Sequence, residues 1–350
     1  MNLPKNIKVM QQANNYVSQS TVKKLRVRPF FEDAIVFAKV GAAISHERKR
    51  IALSPFLIDN NMMAFTPKQK EDLEFIYHLF QKIKLSKYSQ VGALPSYNAS
   101  DILDIRTFYP TSGNERKKIV TILSLVDNRI EKQSEIINNL KKYKRGAVRH
   151  LLSPKSCPLK NARWTTAKLG ELGSFVKGAP LSKADISENG TPFILYGELY
   201  TTYNEVVTSV KRRTQAQVDE LFLSRVGDVV IPTSGETSEE ISTASCVMLP
   251  GVILAGDLNI FRSDKVDGRI MSYLLNHVVN AKIARIAQGK SVVHIQASEL
   301  GKLTLSYPDE NTQKKLIDFL SKFDDKIVIE ENALTFLTGL KEGLMQQLFI

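Results

Sequence analysis

The stretch Asn114–Leu152 reads NERKKIVTILSLVDNRIEKQSEIINNLKKYKRGAVRHLL, with no proline and no glycine before Gly146. Its apolar residues lie three, four or seven positions apart, which is the spacing of a coiled-coil seam. A second stretch of this kind covers Thr312–Phe349 and reads TQKKLIDFLSKFDDKIVIEENALTFLTGLKEGLMQQLF. We therefore predict two long helices, whose packing seam consists of Ile119, Ile122, Val126, Ile130, Ile137 and Leu140 in the first and Leu316, Leu320 (or Phe319), Phe323, Ile327, Leu334 and Leu337 in the second.

Composition limits the kind of protein this is. A chain of 350 residues is long enough for about two domains, and a hydrophobic content of 43% is that of a globular protein. The formal net charge of +12 favours a polyanionic partner, with nucleic acid as the first candidate, although many basic proteins bind none. The start of the sequence lacks the apolar region of a signal peptide, and no apolar run could span a membrane, so we expect a cytoplasmic protein without a membrane partner.

The sequence contains no recognisable catalytic or cofactor-binding motif. Cys157 and Cys246 lie far apart and predict neither a disulfide framework nor a zinc site. The five histidines lack metal-ligand spacing, and neither a dinucleotide-binding nor a Walker glycine pattern occurs. Ser100 and Ser298 lie in matching Ala-Ser-acidic contexts and are predicted to cap short turns. We therefore expect no active site, no metal and no cofactor.

The chain is internally duplicated. Residues 35–41 resemble 229–235, residues 57–65 resemble 254–261, residues 98–105 resemble 296–303, and residues 117–127 resemble 314–324. This order predicts an α/β (α+β) fold of two repeated globular domains, separated by two long helices packed as an antiparallel coiled coil about a pseudo-twofold axis. The predicted boundaries are residues 1–110 and 154–308 for the globular domains, and 111–153 and 309–350 for the helices.

Several stretches resemble the specificity subunit of type I restriction-modification systems. They are Gly92–Ile105 (GALPSYNASDILDI), Trp164–Gly173 (WTTAKLGELG), Gly227–Ile231 (GDVVI) and Thr338–Phe349 (TGLKEGLMQQLF), and with the duplication the resemblance covers nearly the whole chain. It implies that each target recognition domain reads one half of a bipartite double-stranded DNA sequence and that the paired helices set the spacing. It also implies that two methyltransferase subunits dock around the pseudo-twofold axis, that restriction (motor) subunits join them, and that this subunit itself catalyses nothing.

The resemblance places DNA binding in the loops that follow matching strands, because loops at equivalent positions of a duplicated fold are where binding is expected. The predicted contacts are Lys39, Ser45, Arg48, Lys49 and Arg50 in the first domain, and Lys177, Thr233, Ser234, Thr237, Lys290 and Ser291 in the second. The basic run at residues 46–50 (HERKR) is also typical of a solvated charge cluster.

One departure from the family pattern concerns the first domain. Nothing in the N-terminal residues matches the second copy's opening, Trp164 to about Phe193. The first domain is therefore expected to be partly unfolded, completed by another polypeptide, or defective in DNA reading. An alternative function follows, in which the protein is a coiled-coil scaffold for other subunits and its DNA reading is impaired.

Overall fold

The computed structural model describes residues 8–10, 12–13, 15–30, 32–90, 94–287 and 293–349. They form a mixed α/β structure of two compact units: unit 1 comprises Met1–Glu135 with Glu330–Ile350, and unit 2 comprises Ile136–Ile329. Within these described ranges, no helix combines the length and apolar character needed to cross a membrane.

The strands are short, and those of unit 1 precede the first long helix. They are β1 Val9–Met10, β2 Ala34–Ala38, β3 Lys49–Ala52, β4 Met62–Phe65, β5 Trp164–Lys168, β6 Ser174–Lys177, β7 Thr191–Leu195, β8 Val206–Val207, β9 Arg213–Thr214, β10 Asp228–Pro232, β11 Ser234–Gly235, β12 Ser245–Val247, β13 Ile253–Ala255, β14 Leu258–Arg262, β15 Val293–His294 and β16 Thr304–Pro308.

Two helices are much longer than the rest. The helices are α1 Gln19–Leu25, α2 Leu73–Lys82, α3 Ala99–Leu103, α4 Gly113–Leu151, α5 Leu169–Leu172, α6 Glu198–Thr201, α7 Ser238–Ile241, α8 Gly268–Tyr273, α9 Asn280–Ile286, α10 Ala297–Gly301 and α11 Glu310–Leu348. A π-helical segment, Leu274–Val278, lies between α8 and α9. The long helices α4 and α11 each contain 39 residues, as the uninterrupted apolar spacing predicts.

The sheet of unit 1 has the strand order β1-β3-β2-β4. Strand β2 (AIVFA) is buried along most of its length, which is why it lacks the apolar–polar alternation of a half-exposed strand. Helix α2 covers one face of the sheet, where Phe80 packs on Phe37 and Phe65 with ring centroids 5.5 Å and 5.0 Å apart. Unit 1 therefore has a packed core of its own.

The main sheet of unit 2 has the order β6-β14-β10-β12-β8 and repeats the sheet of unit 1 in register. Ile35 pairs with Phe65 in unit 1, as Val229 pairs with Phe261 in unit 2. The paired positions are equivalent in the matched stretches of the duplication. Strand β6 adds a fifth strand outside β14; within the described residues of unit 1, no strand holds that place beside β4.

In unit 1 the segments of α4 and α11 pack antiparallel through polar as well as apolar residues. The Gln133 side-chain amide donates to the Glu330 carbonyl oxygen at 3.0 Å. Further along, the Lys341 ammonium lies 2.6 Å from the Asp127 carboxylate. Residue numbers rise along one helix as they fall along the other, so the helices run in opposite directions. The buried Gln133 amide favours one register, because a shift would leave it without a partner.

In unit 2 the two helix segments meet in the main core, where Val148 packs in one cluster with Leu316 and Leu320. The buried Lys144 binds Asp324 across the pair and also Glu205, whose carboxylate lies 2.6 Å from the ammonium. The hydroxyl of Tyr273 donates to the same Asp324. A buried charged cluster therefore joins both helices to the globular part of this unit.

Most predicted seam residues are buried or half-buried, but one prediction is wrong. Ile122 is 42% exposed, and Leu123 is buried in its place, four residues after Ile119. Phe319, the alternative to Leu320, is 48% exposed. Buried are Ile119, Ile137, Leu316, Leu320 and Ile327, and half-buried are Val126, Ile130, Leu140, Phe323, Leu334 and Leu337.

Candidate nucleic-acid interface

A groove of about 1320 Å³ opens on unit 2 beside one end of its main sheet. Its floor is formed where β6 ends, where β10 ends and where β14 begins. One wall comes from residues 178–184 and 195–201, and the other from residues 294–298. Two of the predicted DNA contacts, Lys177 and Thr233, line this groove.

The backbone of the floor is held by hydrogen bonds between neighbouring elements. The Thr233 amide donates to the Asp257 carbonyl at 2.8 Å, and the Ile295 amide donates to the Thr233 carbonyl at 2.9 Å. The buried Asn259 side chain donates to the Ile295 carbonyl at 3.4 Å. These hydrogen bonds hold the backbone of the floor in one conformation, which preorganises the side chains that it carries.

Two lysines on the groove are available for an anion. Lys177 and Lys183 are exposed, and neither forms an ion pair within the described part of the chain. By contrast, Arg212 binds the buried Glu198 at 2.8 Å, so these two charges cancel. Free ammonium groups beside a groove suit phosphate oxygens.

Three exposed polar side chains follow one another along the second wall. His294, Gln296 and Ser298 are exposed and line the groove, whereas Ile295 between them is buried. Gln296 forms no side-chain capping bond to α10. A glutamine amide offers a donor and an acceptor side by side, which matches an adenine edge in the major groove.

Tyr200 contributes to the groove an aromatic ring and a hydroxyl group that can donate a hydrogen bond. Its ring lies 6.5 Å from that of Tyr196, in an edge-to-face arrangement. Burial, followed by the nearby carboxylate of Glu240, raises the pKa of the Tyr200 hydroxyl. The hydroxyl therefore stays protonated at neutral pH.

Two predicted contacts in unit 2 have structural roles. The buried Ser234 hydroxyl donates to the Asp257 carboxylate at 2.8 Å. The Thr237 hydroxyl accepts from the Glu240 amide at 3.2 Å and so caps α7, although Thr237 itself is exposed. Both residues shape the loop after β10. The predicted contacts Lys290 and Ser291 lie outside the described residues.

In unit 1, Lys39 occupies the position that Thr233 holds in unit 2. The Lys39 amide donates to the Asn61 carbonyl at 2.8 Å, and the Tyr97 amide donates to the Lys39 carbonyl at 3.3 Å. Lys39 is half-buried, as is Arg48, whereas Ser45 is exposed and donates to the Ala42 carbonyl at 2.7 Å. Lys39 therefore remains a predicted DNA contact at the matching site.

The structure corrects the predictions for Lys49 and Arg50, which belong to β3 and are buried. The Lys49 ammonium lies 2.6 Å from Glu47 and donates to the Ile83 carbonyl at 2.8 Å. Burial lowers the pKa of Lys49, against the opposing effect of Glu47. Arg50 donates to the Lys49 carbonyl at 2.6 Å. These two cations are buried and bonded within unit 1, so their side chains are not available at its surface.

Sequence reasoning missed Lys183, Tyr200, His294 and Gln296. Two of them, Lys183 and Tyr200, lie on the wall at 178–201, for which the described part of unit 1 offers no counterpart, so the duplication could not point to them. Gln296 was identifiable, since it matches Asn98 and lies two residues before Ser298, a predicted cap.

A family model and two known proteins match most of this chain. A family model described as "Type I restriction modification DNA specificity domain" matches residues 5–142 and again 161–338. The chain is 23% identical over 320 residues to the type I restriction enzyme MjaVIII specificity subunit of Methanocaldococcus jannaschii, covering 83% of this chain and 73% of the relative. It is 21% identical over 366 residues to the MjaIX specificity subunit of the same organism, covering 95% and 80%.

Solved structures share the fold. The crystal structure of a type I restriction-modification system S subunit from M. genitalium superposes with a TM-score of 0.55 at 17% identity, covering 91% of this chain and 83% of that one. A chain from a study of complex assembly and conformational transition of the type I R-M system gives a TM-score of 0.56 at 14% identity, covering 92% and 83%.

Proposed function

Because this chain belongs to the type I restriction modification DNA specificity domain family and is a DNA-recognition subunit of such a system, we propose that the groove of unit 2 reads one half of a bipartite DNA target. Lys177 and Lys183 bind backbone phosphates. Gln296, with His294 and Thr233, contacts base edges. The observation that carries the proposal is the pairing of free cations with a rigid floor and an exposed polar wall in one groove.

The two kinds of contact predict different losses. The double variant Lys177→Ala/Lys183→Ala removes two phosphate contacts. The plot of the logarithm of the DNA-binding constant against the logarithm of the salt concentration therefore becomes less steep by about two units on every DNA sequence. Gln296→Ala leaves that slope unchanged and relaxes selection at one base pair, at a cost of about 1–3 kcal/mol on the preferred sequence. Fluorescence anisotropy with duplex DNA at several salt concentrations measures both effects.

A matched control uses Lys155→Ala with Lys160→Ala, which removes two exposed lysines that do not line the groove. This variant keeps the wild-type salt slope. An equal fall in slope for both double variants would place the phosphate contacts elsewhere and refute the assignment.

The long helices, in this proposal, set the distance between two DNA half-sites. Two methyltransferase subunits and the restriction subunits assemble on the protein and supply all the chemistry, so the subunit acts by positioning alone. Support comes from the antiparallel packing of α4 and α11 within each unit and from the match between residues 117–127 and 314–324. Inserting one heptad into both helices lengthens each by about 10 Å, which corresponds to about three base pairs.

Methylation sequencing tests this spacing role in cells that express the protein with its methyltransferase subunit. The insertion variant is expected to methylate a target whose two halves are unchanged and whose spacer is about three base pairs longer. An unchanged spacer would contradict the role of the helices.

A scaffold with impaired DNA reading is the second candidate function. It is favoured by one observation: the described part of unit 1 contains no counterpart of residues 178–201, which form a wall of the groove in unit 2. The same methylation experiment separates the two candidates, because a scaffold directs no methylation to a bipartite sequence.

A further inference from the structure

Arg212 lines the groove of unit 2 and is held both at its backbone and at its side chain. The Phe193 amide donates to the Arg212 carbonyl at 3.1 Å, which ties this backbone to β7. The Arg212 Nε donates to a carboxylate oxygen of Glu198 at 2.8 Å. These two bonds limit the orientations that the guanidinium group can adopt beside the groove.

Glu198 holds the guanidinium group from inside the fold. Its side chain is only 5% exposed. One carboxylate oxygen accepts from Arg212, and the other accepts from the Leu195 amide at 3.1 Å. Because a buried carboxylate needs both a cation and hydrogen bonds, Glu198 and Arg212 stabilise each other. The carboxylate is therefore a fixed anchor for the arginine side chain.

The outer end of the Arg212 side chain has donors to spare. A guanidinium group carries five N–H donors, and the bond to Glu198 uses the one on Nε. Within the described residues, Nη1 and Nη2 of Arg212 form no hydrogen bond, and the side chain is 36% exposed. The neighbouring Arg213 differs, since its Nη1 donates to the Gly190 carbonyl at 2.9 Å and it does not line the groove. Arg212 thus presents a fork of two terminal nitrogens to a ligand in the groove.

This fork suits a guanine better than a phosphate. The charge of Arg212 is compensated by Glu198, so Arg212 attracts a phosphate less than the free ammonium groups of Lys177 and Lys183 do. Guanine presents two neutral acceptors side by side in the major groove, O6 and N7. Adenine offers one acceptor beside a donor, and thymine offers one acceptor beside a methyl group, so neither matches two parallel N–H donors.

We propose that Arg212 is a specificity-determining residue that reads a guanine in the half-site bound by this groove, and that Glu198 is its positioning residue. The assignment rests on the proposed DNA-reading function of the groove. Nη1 and Nη2 donate to O6 and N7 of the guanine, while Nε stays on Glu198. Gln296, on the second wall, contacts a different base pair. The half-site therefore contains a G·C pair at a position set by the wall that carries Arg212.

The test presents the full-length protein with a library of random-sequence duplex DNA, and the bound fraction is sequenced. The wild type is expected to enrich a sequence with a fixed guanine at one position. In Arg212→Lys the charge and the ion pair remain, but the ammonium takes the place of Nε at Glu198 and the terminal nitrogens are gone. This variant is expected to lose the guanine at that position alone, with a preference over adenine that falls roughly tenfold or more in fluorescence anisotropy.

Two further variants separate positioning from general stability. Glu198→Gln removes the charge that holds the guanidinium group, so it is expected to weaken the preference at the same base pair and to leave the other positions unchanged. Combining it with Arg212→Lys is expected to add no further loss there, because both residues act on one contact. Arg213→Lys is the matched control and enriches the wild-type sequence. Circular dichroism verifies that all variants are folded.

Three results would overturn the proposal. They are an unchanged guanine preference in Arg212→Lys, an equal loss of affinity for every DNA sequence, which would indicate a phosphate contact or a structural role, and the same loss in Arg213→Lys. A wild-type protein that enriches no sequence would refute the DNA-reading function of the groove together with the role of Arg212. Enrichment of a sequence that Arg212→Lys leaves intact would refute the role of Arg212 alone.

Discussion

Replacing Lys144 by methionine tests the buried charged cluster that joins the long helices to unit 2. The Lys144 side chain is 5% exposed, and its ammonium binds both Glu205 and Asp324. Glu205 also contacts the His277 ring at 2.5 Å. Methionine fills nearly the same volume but leaves two carboxylates in a buried site with one cation fewer.

The magnitude follows from the cost of an uncompensated buried charge, which is about 3–5 kcal/mol when one partner is removed. The pKa of Glu205 gives a second estimate. Burial alone would raise this pKa, but the hydrogen bond with His277 and the charge of Lys144 lower it from 4.5 to about 2. A shift of this size is worth on the order of 3 kcal/mol in the free energy of unfolding.

The sign of the pH dependence is fixed by that shift. Because the folded pKa lies below the unfolded value, the contribution of Glu205 is fully present above pH 4.5 and is lost as the pH falls towards 2. In Lys144→Met the folded pKa rises towards 4.5, so the free energy of unfolding depends less steeply on pH in this window.

Urea unfolding provides the assay, with the single tryptophan as the probe. Trp164 lies half-buried in β5 and reports on unit 2. Lys144→Met is expected to lower the urea midpoint, and further changes of Glu205→Gln and Asp324→Asn are expected to restore part of the loss, because no buried charge is then unpaired.

Lys341→Met is the matched control, since Lys341 occupies the corresponding position of α11; because it lies in unit 1, its unfolding is followed by circular dichroism. The Lys341 side chain is 22% exposed, against 5% for Lys144, so removal of its ion pair with Asp127 costs about 1 kcal/mol or less. The reasoning is refuted if Lys144→Met unfolds at the wild-type midpoint, or if the triple variant is no more stable than the single one.

Three further predictions concern single residues. Lys49→Met is expected to leave the salt dependence of DNA binding unchanged and to destabilise unit 1, because the ammonium is bound inside the fold. A weaker salt dependence of this variant in fluorescence anisotropy would show that Lys49 is a phosphate contact after all. Gly268→Ala is expected to lower the stability of unit 2 by more than about 2 kcal/mol, since its Cβ would lie 2.1 Å from the Gly227 carbonyl oxygen; Trp164 fluorescence in urea measures this, and a wild-type midpoint would contradict it. Cys246 is expected to resist alkylation of the native protein at pH 8, because burial raises the pKa of its thiol to about 12, whereas the half-buried Cys157 reacts. Mass spectrometry of the alkylated peptides shows which cysteine was modified, and equal labelling of both would disprove the difference.

The duplication and the long helices could be predicted because their signals are local or repeated. Seam spacing is a property of consecutive residues, so the two helices were evident from residues 114–152 and 312–349. The match of Ile35 with Val229 and of Phe65 with Phe261 made these positions equivalent, and the structure shows that they form the same pair in both sheets.

The groove could be predicted only in part. Lys177 and Thr233 were predicted as DNA contacts at the ends of strands, and both line the groove, but their role as contacts stays a prediction. In the basic run at residues 46–50, Lys49 and Arg50 were predicted to be accessible but are buried. Their burial depends on contacts with distant parts of the same chain. The Lys49 ammonium is bound in the interior by Glu47 and the Ile83 carbonyl, and the sequence around Lys49 does not predict the contact with residue 83.

The sequence by itself determined that this protein is a doubled α/β unit with two matching long helices. Apolar periodicity and internal similarity suffice for that, since both are written in the order of residues. Only the tertiary structure decided which polar residues enter the helix seam, with Gln133 opposite Glu330 and Lys144 bound to Asp324. It also decided that residues 106–110 form no strand while residues 304–308 do. The physical reason is the same in both cases. A buried charge and a strand each require a partner from a distant part of the chain, and the local sequence does not predict whether that partner is present.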